Sequence, residues 1–364
     1  FPFIEPPPIS SIENSIIFLK EQGALTENET LTPIGKMLAQ LPVDVVIGKM
    51  LIMGTVFHVI HPVLSIAASL SVQSPFTNKS YHDHEVSTAR RPLESDHGDP
   101  FTLLNAFDEW IQVKAGGRNS SRKWCKRRGL EEQRFYEMSK LRQQFKDLLK
   151  DHGLFGTDVE DHHYSSVERH HRTRQKQELK KLKREHRQAT RKRKILKLDL
   201  EDIEISEASD SEDVDIADID FKMTHDIDQM QEMSNASRSF TLRDINLLKV
   251  ILCSGFYPQF AIADDYNSYR KDSDQVFHTK AKPFVLLHPT GVFANNPEIL
   301  ECKIENKNEM DETRKNYSNR HELLAFVTLL ETNKPYLVNT MRIPALQTMM
   351  LFSHSLDTNQ DCTR

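Results

Sequence analysis

The sequence predicts an α+β chain in which helical modules, a long disordered charged insertion and a small β-barrel follow one another. Three observations carry this expectation. Helix caps and 3.6-residue apolar periodicity recur through residues 1–159. Charge splits into two like-sign blocks between Glu160 and Asn235. Beyond them, short apolar runs alternate with Pro, Gly and Asn, as strands and turns do. With 364 residues the chain has room for two or three domains. Its apolar share of 38% is below the roughly 45–50% of ordinary globular chains, and the deficit sits in the middle block.

In residues 1–75, Ser10 and Glu13 have the spacing of a capping box, Ile12, Ile16 and Leu19 share a face, and Gly23 stops the helix. Thr32-Pro33 supplies an N-cap and a first-turn proline for a helix carrying Ile34, Met37, Leu38 and Leu41 inward. Asp44 caps a third helix with Ile47, Met50, Leu51 and Phe57, and Pro62 opens a fourth with Ile66, Ala67 and Leu70. Compact helices of this length suggest a small winged-helix-like unit. Reading bases in a DNA groove needs polar side chains along a recognition helix. The helix from Pro33 to Leu41 exposes only Lys36 and Gln40, which argues against a stand-alone DNA reader.

In residues 76–159, Asp99-Pro100 starts a helix with Phe101, Leu104, Phe107, Trp110 and Ile111. A Gly/Ser/Arg turn precedes Trp124-Cys125, and the longest amphipathic pattern follows: Phe135, Met138, Leu141, Phe145, Leu148 and Leu149, ending near Gly153. Its opposite face is expected to present Arg134, Lys140, Arg142 and Lys146. Such a face can meet phosphates, or it can simply be solvated.

The insertion occupies 160–235. Arg169 to Lys197 holds fourteen Lys/Arg and two Glu, and Leu198 to Asp220 holds eleven Asp/Glu and no Lys or Arg. Blocks of this kind bury too little apolar surface to offset ordering entropy. The basic half could bind RNA or serve as a nuclear address through Arg191-Lys192-Arg193-Lys194, with the acidic half masking it. Phosphorylation of Ser206, Ser209 and Ser211 would deepen the masking. A soluble spacer is the plainer alternative. His162-His163 and His170-His171 lack metal-site spacing and read as polar loop.

In residues 236–364, Leu242 to Gly255 reads as a helix with Ile245, Leu248 and Leu252 on one side. Strands are expected at Gln259–Ile262, Pro283–Leu287, Leu323–Leu330 and Tyr336–Val338, while Asp264–Lys280 and Glu301–Asn319 are poorly specified. Several short strands imply a small barrel of the kind whose grooves hold single strands.

The totals exclude other chemistry. Cys125, Cys253, Cys302 and Cys362 form no CxxC pair, which suits free thiols in a reducing compartment, cytoplasmic or nuclear rather than secreted. No apolar run reaches the roughly 18–20 residues of a membrane span. The formal charge of −5 sums two opposed blocks and says little about partners. There is no GxxxxGK[ST] loop, no Asp-Glu-Ala-His box and no catalytic triad pattern, so no catalytic residues and no cofactor are assigned to this segment.

The wording adds a resemblance. Phe1-Pro2-Phe3-Ile4-Glu5-Pro6-Pro7-Pro8, Gly23-Ala24-Leu25, Leu31-Thr32-Pro33-Ile34-Gly35, Leu41-Pro42-Val43-Asp44 and Ile66-Ala67-Ala68-Ser69-Leu70-Ser71-Val72-Gln73-Ser74-Pro75-Phe76 occur in order. So do His97-Gly98-Asp99, Trp124-Cys125 through Arg142-Gln143-Gln144-Phe145, Cys253-Ser254-Gly255-Phe256-Tyr257-Pro258-Gln259, Val285-Leu286-Leu287-His288-Pro289-Thr290-Gly291 and Thr332-Asn333-Lys334-Pro335-Tyr336. Together they resemble the C-terminal, non-ATPase region of DEAH-box ATP-dependent RNA helicases. Arg128 and Gln133 depart from that family's usual Asn and Arg. The insertion and Leu351-Phe352-Ser353-His354-Ser355-Leu356-Asp357 look closest to the branch associated with nonsense-mediated mRNA decay.

The resemblance implies a winged helix, a helicase-associated ratchet domain and an OB-fold. It implies a segment that grips single-stranded RNA and regulates a motor, with ATP and Mg2+ belonging to RecA-like domains absent from this chain. It also implies a role in mRNA decay or RNA processing, with activator or RNA-decay proteins as partners and no membrane. RNA contacts are expected from Arg134 and Arg142 on the long helix, Lys334 on phosphate, and Tyr336 by stacking, although Tyr336 equally suits a core aromatic. The competing class is a protein-interaction scaffold without RNA affinity.

Overall fold

The computed structural model describes residues 6–155, 240–300 and 323–353, apart from positions 78, 117, 265, 268–269 and 271–274, with isolated residues between 181 and 235. Ser206, Ser209, Ser211, the histidine pairs, Cys302 and Cys362 lie outside the described residues. The chain divides into two compact units, Phe1–Leu70 with Arg91–Ala106 and Phe240–Arg364, and Ser71–Arg90 with Phe107–Ser239.

The first unit opens with α1 (Ile9–Glu21), α2 (Pro33–Gln40), α3 (Val45–Val56) and α4 (Ile60–Ser71). The Thr32 hydroxyl accepts from Gly35 N–H and the Asp44 carboxylate from Val46 N–H, so two expected caps are formed. The expected Ser10/Glu13 box is not. α1 is capped two residues earlier, at Pro8, with no side-chain hydrogen bond. Phe57, expected inward, is exposed because it lies past the end of α3.

The second unit contains α5 (Lys79–His82), α6 (His84–Arg90), the last nine residues of α7 (Asp99–Ala115), α8 (Arg118–Arg127) and α9 (Glu132–Asp151). The expected Gly/Ser/Arg turn is mostly helix α8. Trp110 centres the core, stacked on Phe135 at 5.3 Å and edge-on to Tyr136 at 5.3 Å. Beside it Lys114 is nearly buried, its ammonium 3.3 Å from Glu132 Oε1 and bonded to Ser121 and Tyr136. Of the few described residues within 160–235, Phe221 is 4% exposed and packs edge-on to Trp110 and Tyr136, and the Ser234 hydroxyl donates to the Asp108 carbonyl. These positions find apolar and polar partners that net charge over the block conceals.

Back in the first unit, α10 (Leu242–Phe256) begins at Thr241 with a complete capping box to Asp244. Gly255, expected to stop this helix, lies inside it. A Cβ there would meet Met50 Cγ at 2.5 Å and the Val46 carbonyl oxygen at 2.9 Å, so glycine lets α10 approach α3.

The strands are β1 (Phe260–Ala263), β2 (Val276–Thr279), β3 (Val285–Leu287), β4 (Leu323–Ala325), β5 (Thr328–Glu331), β6 (Pro335–Val338) and β7 (Met341–Ile343). They form one sheet in the order β5-β6-β3-β2-β1-β4-β7, with β3 and β6 parallel. β2 and β7 come from stretches without a clear strand pattern, and the expected Leu323–Leu330 run is two strands broken at Phe326-Val327. Ala261, Phe277, Val285, Leu324, Phe326 and Leu337 fill the core together with Phe293 from α11 (Val292–Asn295).

The start of α7 is tied to this sheet. Gly98 bridges to Met341 at φ +117°, where a Cβ would sit 2.3 Å from the Thr340 oxygen. Asp99, expected as a cap, instead accepts from Val292 N–H at 2.8 Å, Thr340 N–H at 2.7 Å and the Thr340 hydroxyl at 3.1 Å.

His97 packs edge-on to Phe101. Burial, helped by the Lys249 and Arg342 charges against Asp96, pushes its imidazole down from 6.5 to about 4. An imidazole harder to protonate in the folded chain contributes stability that is complete above pH 6.5 and is lost as pH falls towards about 4. Urea midpoints measured across that window are expected to fall less steeply for His97→Gln than for the parent chain.

Candidate nucleic-acid interface

Successive residues of a strand face opposite sides of a sheet, and in β2 this sends Phe277 into the core and Val276 and His278 outward. The registers Leu330↔Tyr336, Leu286↔Tyr336 and Val276↔Leu286 lay one continuous row across β5, β6, β3 and β2 on that outer side. One step along β2, His278 stands opposite Ile262 of β1. Two rings close the row: His288 packs edge-on to Tyr336 at 5.7 Å, and Phe284 packs edge-on to His278 at 5.1 Å. Ile262 is 60% exposed and Phe284 62% exposed. Phe284 has φ +58°, a conformation unusual for a bulky side chain.

The row is held by polar contacts. His278 Nε2 lies 2.7 Å from Asp264 Oδ2, Arg270 lies 3.1 Å from Asp264 Oδ1, and Tyr266 N–H donates to that same oxygen. Burial alone would raise the Asp264 carboxyl. The His278 and Tyr266 hydrogen bonds and the Arg270 charge outweigh it and hold the group below the ordinary carboxylate range. Burial lowers the affinity of His288 for a proton, and its Nδ1 is within 2.6 Å of the Thr290 hydroxyl. Lys282 pairs with Glu331 at 2.8 Å, and Lys334 is exposed on the β5–β6 turn. The arrangement offers flat apolar faces to bases and a cation to phosphates.

Of the expected site residues, Lys334 and Tyr336 fall on this sheet, Tyr336 being partly exposed rather than a fully buried core ring. Arg134 and Arg142 lie in the other unit, both on α9. Arg134 reaches solvent but is engaged by Glu131 at 3.2 Å, Glu137 at 2.9 Å and Gln73 at 2.7 Å. Arg142 is 6% exposed, so its place on a solvent-facing cationic surface is corrected. Burial lowers its guanidinium to about 10, against the pull of Asp108. About two turns of helix separate the pair, and helical phase brings the second into the buried sector of α9. Ile262 and Phe284 lie within expected strands, but four- and five-residue apolar runs do not show which side chains face outward, and His278 lies in Asp264–Lys280, which lacks strand periodicity.

An apolar, ring-bearing sheet face edged by a cation, in a chain that also carries compact capped helices, is the kind of surface that nucleic-acid-binding folds present. Family models agree in detail: residues 15–43 match the winged-helix part of the helicase-associated domain, 44–152 its ratchet-like part, and 248–356 the oligonucleotide/oligosaccharide-binding (OB) fold. The chain is 52% identical over its full length to the probable ATP-dependent RNA helicase DHX34 of Homo sapiens, covering 33% of that protein. Over 42% of the chain it is 38% identical to the putative ATP-dependent RNA helicase DHX57 of Mus musculus and 36% identical to the DExH-box ATP-dependent RNA helicase DExH3 of Arabidopsis thaliana, covering 11% and 12% of them. The chain belongs to the DEAH-box RNA helicase family and corresponds to the C-terminal region of a member. It spans about a third of the length of the DHX34 relatives.

Proposed function

We propose that this segment grips single-stranded RNA for an ATP-dependent helicase motor in mRNA decay or RNA processing, and that the outer sheet face of Tyr336, His288, His278, Phe284 and Ile262 is its base-stacking platform. The observation that carries the reading is the exposed Phe284 ring, packed beside His278 and next to the continuous row that contains Tyr336. Lys334 is the phosphate contact. The Asp264 carboxylate sets the orientation of His278. ATP and Mg2+ act at the motor domains of the whole protein.

Alanine at Phe284 or at Tyr336 is expected to weaken binding of a fluorescent oligouridylate by about 5–150-fold each, the equivalent of roughly 1–3 kcal/mol per lost stacking ring. Unchanged anisotropy titrations for both variants would remove the platform from the reading. A second reading, a docking scaffold for RNA-decay or splicing proteins, draws on α12 (Ala345–Phe352). Its Phe352 stacks on Tyr257 while Met349, Met350 and Leu351 are exposed. Capture of a protein that persists in high salt, by a chain with no RNA affinity, would favour that scaffold.

A further inference from the structure

Helix α8 has a face that neither the sheet platform nor the long helix explains. Ser121 and Cys125 are buried on one side, and Trp124 and Arg128 are half-buried next to them, with the Arg128 guanidinium 4.6 Å above the Trp124 ring. Arg122, Lys123, Lys126 and Arg127 occupy the remaining arc and are all exposed. At 100° per residue these four fall within one continuous stripe. Two of the pairings, Arg122 with Lys126 and Lys123 with Arg127, are like charges at i,i+4, a spacing that destabilises a helix. Among the described residues none of the four has an acidic partner or a hydrogen bond.

Elsewhere in the same unit the solvent-reaching cation Arg134 is matched by carboxylates, as is the buried Lys114. The α8 stripe therefore concentrates positive charge where folding gains nothing from it, and a polyanion would relieve the repulsion by replacing small counterions.

We propose that the Arg122/Lys123/Lys126/Arg127 face of α8 is a second, sequence-independent binding site for the phosphate backbone of single-stranded RNA, separate from the stacking platform. The proposal rests on the reading that this chain binds RNA. It assigns the cationic contribution of this unit to α8 rather than to Arg134 and Arg142 of α9. A point-charge site of this kind recognises phosphates and not bases, so it adds salt-dependent affinity without sequence preference.

The test uses the full chain and a fluorescent oligouridylate. Binding constants are measured at several salt concentrations for the parent, for the quadruple variant R122Q/K123Q/K126Q/R127Q, and for Phe284→Ala. Each phosphate contact to a single strand contributes about 0.7 to the slope of log K against log salt. The quadruple variant should lose about 2–3 from that slope, Phe284→Ala should keep the slope while losing affinity, and the charge-preserving R122K/R127K should match the parent. Emission from Trp110 and Trp124, both in this unit, checks that the variants remain folded. If the quadruple variant folds and keeps the parental slope, the α8 site is overturned while the platform stands. A parent chain that fails to bind RNA overturns both. Retention of a polyglutamate peptide by α8, with no change of RNA slope, would assign the face to an acidic protein and overturn the proposal.

Discussion

Lys114→Ala is expected to destabilise the helical unit by about 3–5 kcal/mol, because it strands a buried carboxylate. The Lys114 ammonium is held by Glu132, Ser121 and Tyr136, and it also lies 4.8 Å from the Tyr136 ring centroid. Glu132 in turn accepts from the Trp110 indole N–H at 3.2 Å. Removing the cation leaves Glu132 without its counter-charge beside the central tryptophan. Guanidinium unfolding followed by tryptophan emission reads this unit specifically, since both tryptophans of the chain, Trp110 and Trp124, belong to it. Replacing the pair together, Lys114→Met with Glu132→Leu, should recover most of the loss, because an apolar pair of similar volume carries no desolvation cost. A single variant that unfolds with the parental midpoint would show that the pair is dispensable.

Asp99→Ala is expected to cost about 3–4 kcal/mol in the other unit, as two buried backbone N–H groups and a hydroxyl lose one shared acceptor. The donors come from Val292 at the start of α11 and from Thr340 before β7, so one carboxylate joins the N-terminus of α7 to two separate parts of the sheet. The predicted signature is local. Amide hydrogen exchange should accelerate first in peptides containing Val292 and Thr340–Ile343, ahead of the α3 and α10 helices. Uniform acceleration across the unit would point to global unfolding and remove the joining role of Asp99.

The helices were legible residue by residue where a short polar side chain precedes an apolar period. Thr32, Asp44 and Thr241 each cap the helix that follows them, and the apolar faces of α7 and α9 supply Phe107, Trp110 and Phe135 to one core. The ordered motifs carried the family. The site was legible only in part. Tyr336 lies on β6 and Lys334 on the turn before it, whereas Arg142 is inside the unit and Arg134 is already engaged by two carboxylates. A helical wheel gives the angle between side chains but not how wide the buried sector is, and in α9 that sector reaches Arg142.

The sequence by itself determined what depends on neighbours a few residues apart: caps, helical periods, the split charge between 160 and 235, and a family wording that survives compression into short strings. Only the tertiary structure decided what depends on segments far apart in the chain. It joined Asp99 to Thr340, placed Lys114 against Glu132, recruited β2 and β7 into the sheet, and set Phe284 beside His278 and next to the row that contains Tyr336. The reason is physical. Strand pairing and burial are settled by which partners arrive from elsewhere, and a four-residue strand such as Val276–Thr279 carries too little periodicity of its own to announce them.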